Sequence, residues 1–112
     1  MTDLALKYYR QGDIAIIPIE RKCRPAPKTR VQPDCGRIVL AYGEVTGHAH
    51  ALPAGDVELY ETANAVDRIL RVRSHVTTLT HEEHAPIELP QGDYIVRRQR
   101  EYEPEAIRLV AD

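Results

Sequence analysis

Apolar and polar positions along this chain alternate with a period of two far more often than with a period of 3.6. In residues 69–76, Leu70, Val72 and Val76 fall on one side and Arg71, Arg73 and His75 on the other. This is the alternation of a half-buried strand, and it directs His75 to solvent. Residues 57–61, Val-Glu-Leu-Tyr-Glu, alternate in the same way, and the turn signal Pro53-Ala-Gly-Asp56 ahead of them predicts the return strand of a hairpin. The apolar run Ile14-Ala-Ile-Ile-Pro-Ile19 predicts a buried strand. Pro18 has no amide hydrogen to give a ladder, so it belongs at a sheet edge or a strand end. Arg37-Ile-Val-Leu-Ala-Tyr42 predicts another strand, and residues 1–11 a short helix or strand closed by the turn Gln11-Gly12-Asp13.

Further along, Leu79 has the opposite parity to Val76, which implies a bulge or turn at Thr77-Thr78. Ile87 and Leu89 alternate again, Pro90-Gln-Gly-Asp93 predicts a turn, residues 94–102 complete another hairpin, and residues 106–110 supply a closing strand. Together these are seven or eight short strands spaced by roughly ten residues, with Pro/Gly turns between them and no amphipathic helix. The pattern predicts an all-β fold, a small antiparallel barrel or sandwich. One segment stands apart. Residues 20–36 interleave Arg21, Lys22, Arg24, Lys28 and Arg30 with Pro25, Pro27 and Pro33, which predicts a long, solvated, mobile loop without regular structure. A chain of 112 residues fits a single domain over 1–112.

Composition narrows the function classes. Phe and Trp are absent, so the core is built from Ile, Val, Leu, Ala and Tyr, and the six tyrosines are a poor platform for stacking bases. The net charge is −2, from 15 Lys plus Arg against 17 Asp plus Glu, which argues against a nucleic-acid binder that works by global charge. No apolar run approaches the roughly eighteen residues of a membrane span, and the first residues lack the apolar region of a signal peptide. The expected compartment is therefore the cytoplasm. Cys23 and Cys35 lack a Cys-x-x-Cys partner, so a zinc ribbon is excluded and free thiols are expected.

The candidate chemistry is carried by histidine. Four of the five histidines lie in two segments, His48-Ala-His50 and His81-Glu-Glu-His84. On an extended strand His48 and His50 share a face with Leu52 and are expected to converge on one divalent ion. The second segment spaces its histidines at i, i+3 rather than at the i, i+4 of the zinc-protease helix, and Pro86 with Thr77-Thr78 leaves too little chain for a helix. On a regular strand His81 and His84 face opposite ways. The parity of Ile87 and Leu89 turns His81 and Glu83 inward, a bulge would exchange them for His84 and Glu82, and a turn before Pro86 would admit both. The expectation is a site of three histidines, His48, His50 and one later one, with His84 ahead of His81. Glu82 or Glu83 would then move a proton at a metal-bound water. Zn, Fe(II), Mn and Ni all suit such ligands.

Gly43, His48, His50 and Glu58, followed by Pro90-x-Gly92, resemble the two motifs of the cupin family across residues 43–99. Cupins are small antiparallel barrels that hold a divalent metal on three histidines and a glutamate. The resemblance therefore implies a cupin-like barrel with His48 and His50 as two of the ligands. Glu58 lies further from His50 than the family pattern has it, and Ile95 stands where the second motif carries its histidine, so His81 or His84 would supply that ligand.

Two functions follow. One is a metal-binding β-barrel, with a metal-bound water acting on a small-molecule substrate. The other is a non-enzymatic module that contacts a protein or nucleic-acid partner through the basic loop and the arginine-rich last hairpin, with Arg97, Arg98 and Arg100. A homo-oligomer is compatible with either.

Overall fold

The computed structural model describes residues 8–43 and 46–98. Among these residues seven strands follow in chain order: β1 (Tyr9–Gln11), β2 (Ile14–Ile19), β3 (Arg37–Tyr42), β4 (Ala49–Pro53), β5 (Val57–Glu61), β6 (Asp67–His81) and β7 (His84–Arg98). Every pairing is antiparallel, in the order β1-β2-β7-β6-β4-β3, with β5 on β6. The all-β expectation holds. The outer strands β1 and β3 do not pair with each other, so among the described residues the sheet is open and folds over on itself instead of closing into a barrel by hydrogen bonds.

The fold-over is set by the β6–β7 ribbon, two strands of 15 residues each. The first half of β6 lies between β5 and the second half of β7. Its second half pairs with the first half of β7 and meets β4 at Thr80. Between the halves the register slips: Val72 opposes Gly92 and Val76 opposes Pro90, so Arg73, Ser74 and His75 face a single residue, Gln91. A bulge of this kind bends a ribbon and sharpens its twist. Asp56 holds it in place. Its carbonyl accepts the amides of Arg73 and Ser74 at 2.8 and 3.3 Å, and its carboxylate accepts the hydroxyls of Ser74 and Thr77 at 2.7 and 2.8 Å.

This bulge corrects two expectations. The parity change lies between Val72 and Val76, not at Thr77-Thr78, so Val76 is 45% exposed while Thr77 and Leu79 are buried. The turn expected at residues 90–93 is absent: β7 runs straight through Pro90, Gln91 and Gly92. Pro90 stands where the ladder is already broken, so its missing N–H costs nothing there.

Elsewhere the local rules are obeyed. Pro18 pairs with Tyr94 on one side, and on the other β1 reaches only as far as Ile16, so among the described residues no strand partner asks for its missing amide. Ile14, Ile16, Ile38, Leu52, Leu59, Leu70, Leu79, Leu89 and Val96 form one buried core, with Tyr94 edge-on to Tyr9 at 6.1 Å. His75 is exposed as expected. Cys23 and Cys35 are exposed and unpaired.

The segment 20–36 is not the structureless loop the sequence predicts. It contains a single 3₁₀ turn, Arg21–Cys23, and then runs beside β5. The Lys28 and Val31 amides donate to the Glu61 and Leu59 carbonyls at 2.7 and 2.8 Å, and the Glu61 amide donates to the Thr29 carbonyl at 2.8 Å. Covering the open edge of β5 satisfies backbone groups that would otherwise be left to solvent. The expected closing strand at 106–110 lies outside the described residues. Among the described residues no helix is long and apolar enough to cross a membrane.

Candidate metal centre

The bend brings the tip of the β6–β7 ribbon back over the β1–β2 turn, and three strand connections meet at this end of the molecule. The first is the two-residue turn Gly12-Asp13, with Gln11 opposite Ile14. Gly12 has φ +60°, and a Cβ there would lie 2.9 Å from His84 Nε2 and 3.2 Å from His50 Cε1. Both the backbone conformation and the close approach therefore call for glycine. The second is the β3–β4 connection, closed by the Gly43 amide on the His48 carbonyl at 2.8 Å. It puts His48 just ahead of β4 and His50 within it, opposite Ala41. The third is the turn Glu82-Glu83, with His81 and His84 as partners across it. A turn between them removes the parity conflict of an extended segment, and both histidines join the group.

His81 is the central ring. Its centroid lies 4.3 Å from that of His50, 4.7 Å from His84 and 5.7 Å from His48, and His50 and His84 are 5.8 Å apart. The expectation that ranked His84 ahead of His81 does not match this placement. His84 is exposed and borders Gly12, while His81 sits between the others. One ligand atom each from His48, His81 and Glu82 lie within 4.8 Å of one another.

His50 is 4% exposed and hydrogen-bonded to Gln11 at 2.8 Å through Nδ1. The Gln11 amide nitrogen donates to the carbonyls of Leu79 and Ala85 at 3.1 and 3.0 Å, so Gln11 Oε1 can only accept. His50 Nδ1 must then carry the hydrogen and leave Nε2 with its lone pair. Burial, followed by the neighbouring His81, pushes the His50 pKa down to about 4, which keeps the ring neutral at pH 7. Its Nε2 faces Asp13 Oδ1 at 3.6 Å, one acceptor opposite another. Asp13 Oδ2 accepts from Arg98 Nε at 2.8 Å.

The two glutamates have separate positions. Glu82 Oε1 accepts the Ala49 amide at 2.9 Å. Backbone amides from Ala49 and from Glu82 itself, with His48 and His81 nearby, hold its carboxyl below the usual carboxylate range. Glu83 Oε2 lies 3.3 Å from His48 Nδ1, and the Glu83 amide donates to His81 Nδ1 at 3.0 Å. That amide competes with any cation for the Nδ1 lone pair of His81; a half-turn of the ring or loss of this one contact frees it.

Glu58, the glutamate of the cupin resemblance, is not among the group. Tyr60 Oη donates to one of its oxygens at 2.8 Å and Arg73 Nη1 to the other at 2.9 Å. Arg97 is bound to Asp67 through two contacts of 2.7 and 3.1 Å, and Arg98 is bound to Asp13; Arg100 lies outside the described residues. Gln11, Gly12, Asp13 and Arg98 were missed as site residues by sequence reasoning. The first three carried only the local signal of a turn and Arg98 only that of a basic hairpin, and Gln11 stands 39 residues from the His50 that it orients.

No curated protein and no solved structure matches the chain. A family model described as a domain of unknown function, DUF8820, matches residues 10–99, a span that takes in all four clustered histidines and Gln11, and the chain belongs to that family.

Proposed function

We propose that this protein binds one divalent metal ion on His48, His81 and Glu82. The observation that carries the reading is the mutual approach of their three ligand atoms within 4.8 Å. Ligands about 2.0–2.1 Å from a tetrahedral ion stand roughly 3.3 Å apart, so side-chain rotations of about an ångström close the group. The surroundings support it. Glu83 orients His48 in the way that carboxylates orient metal-bound imidazoles, and Ala49 pins Glu82. His50 and His84 lie beside the group, and Gln11 fixes the tautomer of His50 while burial keeps that ring neutral.

Three protein ligands leave a position for water or a small-molecule substrate, the arrangement of a reactive site more than of a closed structural one. In this reading Glu82 is a ligand and not a base, and Glu83 is the carboxylate left to exchange a proton. The set also differs from the three histidines and glutamate that the cupin resemblance implied. The alternative module, binding a partner through its basic residues, loses support from the internal pairing of Arg97 and Arg98. Two exposed thiols, Cys23 and Cys35, suit a reducing cytoplasm.

Elemental analysis and metal titration of untagged protein test the proposal. One equivalent of Zn, Fe, Mn or Ni is expected. His48→Ala, His81→Ala and Glu82→Gln should each weaken binding at least tenfold, while His84→Ala should change it by only a few-fold. Failure of all four metals to bind stoichiometrically, or wild-type affinity in His81→Ala, would overturn it.

A further inference from the structure

We infer a second ligand site, separate from the histidines: the cleft between the 3₁₀ turn and the β6–β7 bulge binds a phosphate-type oxyanion that still carries a proton. The cleft has a volume of about 280 Å³ and is lined by Arg21, Arg71, Arg73, Gln91, Gly92 and Asp93, among others. Gly92 has φ +153°, and a Cβ there would meet no atom within 4 Å, so the floor beside it is open space.

Two features of the lining point to the ligand. The first is charge. Arg21, Arg71 and Arg73 bring three guanidiniums to a protein whose net charge is −2. Arg71 stands between Glu58 and Asp93 in the strand registers but makes no ion pair with any described residue. Arg73 spends one nitrogen on Glu58 and is 61% exposed along its side chain. Planar guanidiniums with unspent N–H groups fit oxyanions.

The second feature is Asp93, in the floor. Its side chain is only 4% exposed, and Oδ2 takes both Arg21 and Arg24 at 3.1 Å. Oδ1 is buried with no hydrogen-bond partner, so a donor in the cleft reaches it only when neighbouring side chains, the exposed Arg73 among them, shift aside. An unsatisfied buried acceptor is costly and calls for a donor.

A bare anion would satisfy the arginines and be repelled by Oδ1. A neutral hydroxyl compound would satisfy Oδ1 and leave the arginines unused. A phosphate group does both, because its second ionisation lies near neutrality. It offers oxygens to Arg71 and Arg73 and an O–H to Asp93. Sulfate has the same shape and no proton to give, so the cleft should tell the two apart.

Calorimetry on the full chain at pH 6 and low salt, with metal chelated so that the histidine cluster contributes no ion, decides the matter. Inorganic phosphate should bind at least tenfold more tightly than sulfate, and Arg71→Gln should lose at least tenfold for phosphate. Asp93→Asn should bring the two anions to similar affinity. Because Asp93 also anchors Arg21 and Arg24, that variant is read only if its thermal melt remains cooperative; Arg71→Gln, on the rim, tests the site in any case. A glycerol phosphate arm separates a phosphomonoester ligand, which should then bind more tightly than the free ion, from a site for inorganic phosphate alone. Equal affinity for phosphate and sulfate, no binding of either, or unchanged phosphate binding in Arg71→Gln would overturn the inference.

Discussion

At the scale of single residues, Gly12 is the position where backbone and chemistry meet most closely. A β1–β2 turn of two residues with positive φ at its first position is the form that suits a hairpin and favours glycine. Here the same residue also leaves room for the His50 and His84 rings. Gly12→Ala should therefore combine a left-handed backbone penalty with displacement of the His84 ring, a loss of about 1–3 kcal/mol in chemical denaturation. His84 ring resonances should shift with it; an alanine variant as stable as wild type, with unmoved His84 signals, would contradict the geometry. The histidines themselves were legible in the sequence, because their clustering needs no knowledge of contacts. Gln11 was not, because a glutamine before a turn looks like any other solvated residue until its 2% exposure is known.

At the scale of elements, the bulge of β6 does the shaping, and Asp56 is its keystone. Removing that carboxylate leaves the buried Thr77 hydroxyl without its acceptor, a loss expected to cost about 1–3 kcal/mol. Asp56→Ala should lower the urea midpoint accordingly, and Ser74→Ala should lower it less, since Ser74 is only half-buried. Equal stability of Asp56→Ala and wild type would show that the bend is held by the core alone. The strands were legible from alternation, but Pro90-Gln-Gly-Asp93 was not. Its residues are those of a turn, and they serve equally well opposite a bulge, where β7 must cross a gap in the ladder with Gly92 at φ +153°. Composition specifies that the ladder breaks there; it does not say whether the chain reverses.

At the scale of the whole molecule, burying His50 links stability to pH. The unfolded chain takes up its proton near the ordinary value of 6.5, whereas the folded protein resists until about 4. More protons are then bound by the unfolded state between these values, so stability is full above pH 6.5 and falls as the pH drops toward 4. The depressed carboxyls of Asp56, Glu58 and Glu82 act in the same sense, but their contribution is lost only below the ordinary carboxylate range. The interval from pH 6.5 to 5 therefore reports on His50. Metal-free protein should show a lower urea midpoint at pH 5 than at pH 7.5, and His50→Gln should flatten that difference. A wild-type midpoint that does not move over this interval would refute the assignment.

The all-β class, the residue types of the core and the two histidine segments were legible before any contact was known. All of these depend on periodicity and local composition, which a chain displays before it folds. Long-range packing left the sheet of the described residues open and folded over, and put His81 and not His84 at the centre. It also decided that Asp13, Gln11 and Arg98 belong to the same end. The physical reason is that a two-residue bulge in a long ribbon redirects everything beyond it: a local slip of register at residues 72–76 moves the tip at residues 82–83 across the molecule, and no window of sequence contains both the slip and the place where the tip lands.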